Sequence, residues 1–188
     1  MAALVGVVGS RSLPPQFAPL VRAVASAVVQ GGRAVAVGCS PGVRVPVVAA
    51  VPAARVFSVQ PGSGRGGLVR RSVQFIQAVA ASGPGAGLFG FAVVPCPPSV
   101  RPSASPSRCF CGGGSGTWAE LALGVGLGLP VSVFWCASGP ARLPSWWWPG
   151  AWAQSWSPAI PGLSVQAFSL ASVQLELKII QQPDLQPH

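Results

Sequence analysis

Acidic side chains are nearly absent from this chain of 188 residues, because only Glu120, Glu176 and Asp184 carry a carboxylate. Twelve basic residues stand against these 3, all of them arginine except Lys178, so the net charge is +9. Such an excess predicts attraction to polyanions such as nucleic acid or nucleotides, although biased composition would also explain it. The arginines are dispersed, and no basic patch with interleaved aromatic residues, the usual mark of a nucleic-acid interface, is visible.

Histidine occurs only at position 188, and the 5 cysteines include no CxxC pair. Cys109 and Cys111, with Cys96 upstream, could suggest a metal site, but structural zinc needs four closely spaced ligands. An odd number of irregularly spaced cysteines is also not typical of a disulfide scaffold. We therefore expect small, mostly buried thiols, no metal ion and no other cofactor.

Long uninterrupted apolar runs are missing as well. Residues 121–135 come nearest to a membrane span, but Pro130 and three glycines interrupt them. The opening MAALVGVVGS lacks the charged segment of a signal peptide. These features predict a soluble, cytoplasmic protein that has no membrane partner.

Half of the residues are hydrophobic, and short valine-rich runs alternate with segments of helical periodicity. We expect strands over 3–8, 33–37, 55–59, 88–94 and 131–135, with helices over 14–30, 43–51, 68–80 and 117–126. This alternation predicts an α/β fold, a Rossmann-like parallel sheet of about five strands flanked by helices. The domain would span residues 1–137, and a partly ordered, Pro/Trp-rich extension would follow over 138–188.

Three segments are less regular. Residues 95–108 are too rich in proline for regular structure, and we expect a surface excursion there. Five tryptophans lie within 138–161 without a clear period, so they could pack on the domain or form an interface with a partner or a second copy. Residues 163–180 are compatible with a strand or a helix, and residues 181–188 are expected to fray.

The sequence GGGSGTWAE over 112–120 reads as a glycine loop followed by a helix start. Backbone amides at such a point can bind phosphate, so we expect the ligand to contact this run, although a plain tight turn is the alternative. Glu120 is a candidate catalytic residue, yet an acid in the first helical turn is also favoured by the helix dipole. The candidate phosphate-binding residues of this run are Gly113, Gly114, Ser115, Gly116 and Thr117.

The first strand ends in a second glycine turn, VGVVGSRS, at the edge where α/β sheets hold ligands. Its spacing is not that of the GxGxxG dinucleotide fingerprint, but Gly9 and Ser10 are candidate ligand contacts. Arg11 could pair with phosphate or be a solvated loop charge. Gly38, in the turn VGCSPG after the second strand, is a further candidate. Arg71 lies on the helix before the fourth strand, where an exposed face is the alternative.

Together these runs resemble the SLOG superfamily, the Rossmann-like group that contains LOG proteins and the DNA-processing protein A family. The LOG signature PGGxGTxxE is matched over 113–120, and Gly112 replaces its proline. VGVVGSRS and VGCSPG resemble the first and second loops of the group. The resemblance covers residues 3–136.

LOG enzymes are phosphoribohydrolases that release a base from a nucleoside monophosphate. The resemblance therefore implies a nucleotide-like ligand and hydrolysis of an N-glycosidic bond, with Glu120 as the signature glutamate and Arg71 as the arginine that serves ribose cleavage. The DNA-processing relatives imply a single-stranded nucleic-acid binder instead, and other SLOG domains are nucleotide sensors or interaction modules. A homodimer, in which the Trp-rich extension docks a second copy, is a further expectation.

Overall fold

The computed structural model describes residues 2–112, 114–147 and 152–170. Seven strands form one sheet in this part of the chain. In chain order they are β1 (Leu4–Gly9), β2 (Ala34–Gly38), β3 (Arg55–Phe57), β4 (Gly87–Ala92), β5 (Val131–Trp135), β6 (Trp152–Gln154) and β7 (Gln166–Leu170).

The strands lie in the order β3-β2-β1-β4-β5-β7-β6. The first five are parallel, with Val5 of β1 opposite both Val35 of β2 and Gly87 of β4. The predicted α/β, Rossmann-like class is therefore confirmed. The strand number is seven rather than five, because β6 and β7 come from the predicted extension and join antiparallel to the edge of β5.

Among the described residues, five α-helices lie between the parallel strands: α1 (Ala18–Gln30), α2 (Pro41–Ala50), α3 (Gly64–Ala80), α4 (Pro106–Cys109) and α5 (Gly116–Gly126). Helices α1 and α2 bury one face of the sheet, where Val7 and Val37 pack with Leu20 and Val43. Helices α3 and α5 cover the other face. Both faces are thus buried, which explains why β1 and β2 read as continuous valine-rich runs.

The connection between β4 and α5 is better packed than its proline content predicts. The prediction of a surface excursion without regular structure is wrong for its end, because α4 forms there and Cys109 is buried. Cys96 and Val100 are buried as well. The indole of Trp118 donates to the Val94 carbonyl (2.8 Å), so the start of α5 holds this connection against the domain.

Two tryptophans of the extension, Trp146 and Trp147, contact the same connection, and the Trp146 indole donates to the Val100 carbonyl at 3.2 Å. Trp147 meets Trp118 edge-on, with ring centroids 5.5 Å apart, and its indole donates to the Val100 carbonyl (3.1 Å). Trp152 lies 6.1 Å from the Trp147 ring. The tryptophans of 138–161 were expected either to pack on the domain or to form an interface. For these side chains, packing on the domain applies. The second half of the segment 163–180 and the expected fraying over 181–188 lie outside the described residues.

The strand order creates a crevice at the carboxyl edge of the sheet. From β1 the chain proceeds to α1 on one face, whereas the chain that follows the neighbouring β4 proceeds to α5 on the other face. The two connections diverge, and ligands of open α/β sheets bind at such a divergence. No helix in the described ranges is long and apolar enough to cross a bilayer.

Candidate functional site

A cavity of about 640 Å³ lies at the crevice between β1 and β4. Both predicted glycine turns line it, and Ser10 and Ser115 therefore share one cavity. Gly38 does not line it, and Gly113 lies outside the described residues. The predicted site residues that do line the cavity are Gly9, Ser10, Arg11, Arg71, Gly114, Ser115, Gly116, Thr117 and Glu120.

The first turn is fixed by its own hydroxyls and by close packing. Ser10 Oγ accepts from the backbone amide of Ser12 at 3.1 Å, so this side chain closes the loop after β1. At the start of α2, a β-carbon on Gly42 would overlap the carbonyl oxygen of Ser10. The turn VGCSPG after β2 thus supports the turn after β1 through direct backbone contact.

The second lining segment is the glycine loop before α5. Gly112 and Gly114 have φ angles of +82° and +97°, a backbone conformation that strongly favours glycine. Gly116 differs, because its φ is ordinary and no described atom lies within 4 Å of where its β-carbon would be. Neither conformation nor packing requires glycine at that position, so its missing side chain leaves open space in the cavity wall.

Helix α5 begins in this cavity wall. Ser115 is its N-cap and accepts from the Trp118 amide at 3.4 Å. The amides of Gly116 and Thr117 lie in the first turn, where backbone donors have no partner within the helix. These donors and the positive end of the helix dipole favour an anion at this point.

An ion pair lies at the floor of the cavity. Arg71 Nη1 of α3 donates to Glu120 Oε1 of α5 at 2.9 Å, and each side chain is 8% exposed. Ser72 Oγ donates to the same carboxylate oxygen at 2.5 Å. The helices α3 and α5 pack side by side, and their contact joins residues 49 positions apart in sequence.

Burial raises the pKa of the Glu120 carboxyl above its ordinary value, because desolvation disfavours the charged form. The charge of Arg71 and the hydrogen bonds from Ser72 and Arg71 oppose this shift without cancelling it. The carboxyl therefore takes up a proton more readily than a solvated glutamate does. Such a shift in a cavity is typical of residues that transfer protons.

The Arg71 guanidinium is fixed from behind by Gly38. A β-carbon on Gly38 would overlap Arg71 Nη1, the nitrogen that binds Glu120. Gly38 therefore serves the site by leaving room for the arginine. Arg71 Nε is buried and has no hydrogen-bond partner among the described residues. A buried donor without a partner is costly, so the site holds an unsatisfied polar group beside its ion pair.

Sequence reasoning missed several polar residues of the cavity, among them Arg65 and Ser72. Both lie on α3 with Leu68 and Val69, and all four line the cavity. Their spacing of three, four and seven residues is the signal that could have found them, since it defines one helix face. The helix predicted over 68–80 leaves Arg65 outside it, whereas α3 begins at Gly64.

Two other features of the described residues bear on the choice of site. A second cavity of about 580 Å³ at the same sheet edge is lined by Gln16, Trp135 and Gln166 among others, and no charged side chain is part of its wall. No group of three or more His, Cys, Asp or Glu side chains in the described ranges could hold a metal ion. The charged cavity with the ion pair is therefore the stronger candidate.

Comparison of the chain with protein-family models, with curated proteins and with solved structures gave no match. The assignment of a function consequently depends on the geometry of this cavity and on the residues that line it.

Proposed function

We propose that this protein binds a nucleotide or nucleotide derivative in the cavity between β1 and β4, and that its fold belongs to the SLOG type. The observation that carries the proposal is the buried Arg71–Glu120 pair, with 2.9 Å between Nη1 and Oε1, at the floor of a cavity lined by both glycine turns. A binding site for an anionic group and a site for proton transfer then occur in one cavity, whose size is usual for small ligands.

The phosphate would bind at the start of α5. Amides of Gly116 and Thr117 supply donors there, and the open space beside Gly116 lets a phosphate oxygen approach the backbone. In the part of the chain that the structure describes, the Thr117 hydroxyl has no protein partner and lines the cavity, so it is a further donor. Carboxylates near the cavity are few, which lowers repulsion of the anion.

The ion pair supports hydrolysis of an N-glycosidic bond as the reaction. Water adds to the anomeric carbon, the bond from that carbon to the base nitrogen breaks, and the base leaves with a proton. Glu120, whose pKa is raised by burial, would move this proton or stabilise the positive charge that develops on the ribose. Arg71 holds the carboxylate in place through its Nη1.

The experiment has a binding arm and a reaction arm. Calorimetric titration with purine nucleoside monophosphates should give saturable heat, and incubation with AMP should release adenine. Glu120→Gln keeps the shape of the side chain and should abolish release while AMP still binds. Absence of heat with all the nucleotides would reject the binding proposal, and unchanged release by Glu120→Gln would remove this residue from the reaction.

The nucleic-acid alternative draws less support from the geometry. Stacking on bases requires exposed aromatic rings beside a cationic groove. Trp118 and Trp147 are buried, and among the described tryptophans only Trp146 and Trp156 are exposed, at 40% and 42%. Trp146 is also covered on one side by the Arg101 guanidinium, 5.4 Å from the ring centroid.

A further inference from the structure

The cavity carries more positive charge than a single phosphate needs. Three arginines, Arg11, Arg65 and Arg71, line it together with one carboxylate, that of Glu120. Arg71 is committed to Glu120 by the 2.9 Å ion pair. Glu120 is the only acidic residue within the described ranges. Arg11 and Arg65 therefore have no carboxylate partner there.

The two remaining arginines come from different elements and differ from Arg71 in burial. Arg11 follows β1 in the first glycine turn, and Arg65 lies in the first turn of α3. Both are exposed, whereas Arg71 is buried at the floor. The cavity is therefore built with a deep polar floor and a cationic rim, and the start of α5 forms its wall.

The floor shows that this is a built site. As whole residues, backbone included, Glu120 and Arg71 are 6% and 7% exposed, and both line the cavity. Arg71 Nε is itself buried and has no hydrogen-bond partner among the described residues. Burial of charged groups in a cavity wall is costly, and a polar ligand that contacts them offsets this cost.

We propose that the natural ligand is a nucleotide with a second phosphate, of the nucleoside diphosphate class, whose second phosphate is bound by Arg11 and Arg65 at the rim. This inference rests on the proposed nucleotide-binding function and adds the number of phosphates. One phosphate binds at the amides of Gly116 and Thr117. The planar guanidinium groups bind the other through paired N–H donors, the geometry in which arginine exceeds lysine as a phosphate ligand.

The test compares AMP with ADP by calorimetry at fixed ionic strength, without divalent cations, which would neutralise the diphosphate. ADP should bind about tenfold more tightly than AMP, as expected for one added charge-assisted contact. Each of the variants Arg65→Ala and Arg11→Ala should remove most of this difference in affinity. The affinity of each for AMP should stay within about twofold of the wild-type value.

Arg70→Ala is the matched control. It removes the same charge from the same helix, but Arg70 is exposed and does not line the cavity. The tenfold preference for ADP should persist in this variant. If Arg70→Ala reduces the preference as much as Arg65→Ala does, the effect is general electrostatics and the rim site is rejected.

The outcomes separate this inference from the proposed function. If AMP binds and ADP binds no better, the nucleotide site stands and the second phosphate is rejected. If the rim variants weaken AMP and ADP equally, the arginines do not select a second phosphate, and the inference is again overturned. If neither nucleotide binds, the proposed function itself fails and the inference fails with it.

Discussion

The guanidinium of Arg71 lies directly against the Cα of Gly38, so that a β-carbon at Gly38 would overlap Nη1. The same nitrogen holds Glu120 Oε1 at 2.9 Å. A glycine at the end of β2 thus determines the position of an ion pair that joins α3 to α5. This contact links the turn VGCSPG after β2 with the charged floor of the cavity, although Gly38 itself does not line the cavity.

Gly38→Ala should disturb this ion pair. The added methyl group must displace Arg71, and overpacking of this kind costs about 1–3 kcal/mol of unfolding free energy. The measurement is urea unfolding of the variant and the wild type. Gly66→Ala is the control, because its β-carbon meets no described atom within 4 Å and lies in a helix. That variant should gain about 0.5–1 kcal/mol, and a loss equal to that of Gly38→Ala would contradict the steric explanation.

Removal of either partner of the Arg71–Glu120 pair should destabilise the fold. A buried charge that loses its partner costs about 3–5 kcal/mol, so Arg71→Ala and Glu120→Ala should each lower the free energy of unfolding by that order. The double variant should cost less than the sum of both, since no charge is left unpaired. Additive costs in a double-mutant cycle would show that the two side chains are not coupled.

The Glu120 carboxyl should titrate above the ordinary value of 4.5, because burial raises its pKa. Since the chain has only two glutamates, Glu120 and Glu176, NMR of a sample with labelled glutamate carboxyl carbons gives two signals, and Glu120→Gln assigns them. Arg71→Ala should raise the pKa of Glu120 further, because the arginine charge lowers it. Arg70→Ala should leave it within the measurement error.

The direction in which stability changes with pH follows from the raised pKa of Glu120. A carboxyl whose pKa is higher in the folded state binds protons more readily when folded, so its contribution to stability is present below pH 4.5 and is lost as the pH rises through the folded value. The free energy of unfolding of wild type relative to Glu120→Gln should therefore decrease over this interval. A relative stability that increases with pH would contradict the raised pKa.

Trp147 should matter more for stability than Trp156. Trp147 is buried against Trp118 and donates to the Val100 carbonyl, whereas Trp156 is 42% exposed. Trp147→Ala should cost about 3–5 kcal/mol by opening a cavity, and Trp156→Ala should stay within about 0.5 kcal/mol. The measurement is thermal unfolding of both variants, which make the same change from tryptophan to alanine. Equal effects would mean that the extension does not support the connection between β4 and α5.

Much of the fold could be predicted because its parallel strands and their helices carry local patterns. The strand β5 was predicted at its observed bounds, and α5 within one residue of its start. The extension could not be predicted in this way. β6 has three residues and β7 alternates weakly, so both depend on pairing with the edge of β5 rather than on their own pattern.

The sequence by itself determined the glycine turns after β1 and before α5 and the order of strands and helices along the chain. Turn chemistry and hydrophobic periodicity act over a few residues, so both can be recognised locally. Only the tertiary structure decided that Arg71 meets Glu120 over a separation of 49 positions, that Gly38 supports the arginine, and that Arg65 reaches the cavity. Such relations depend on how α3 packs against α5 and β2, and the packing of distant elements leaves no signal in the spacing of neighbouring residues.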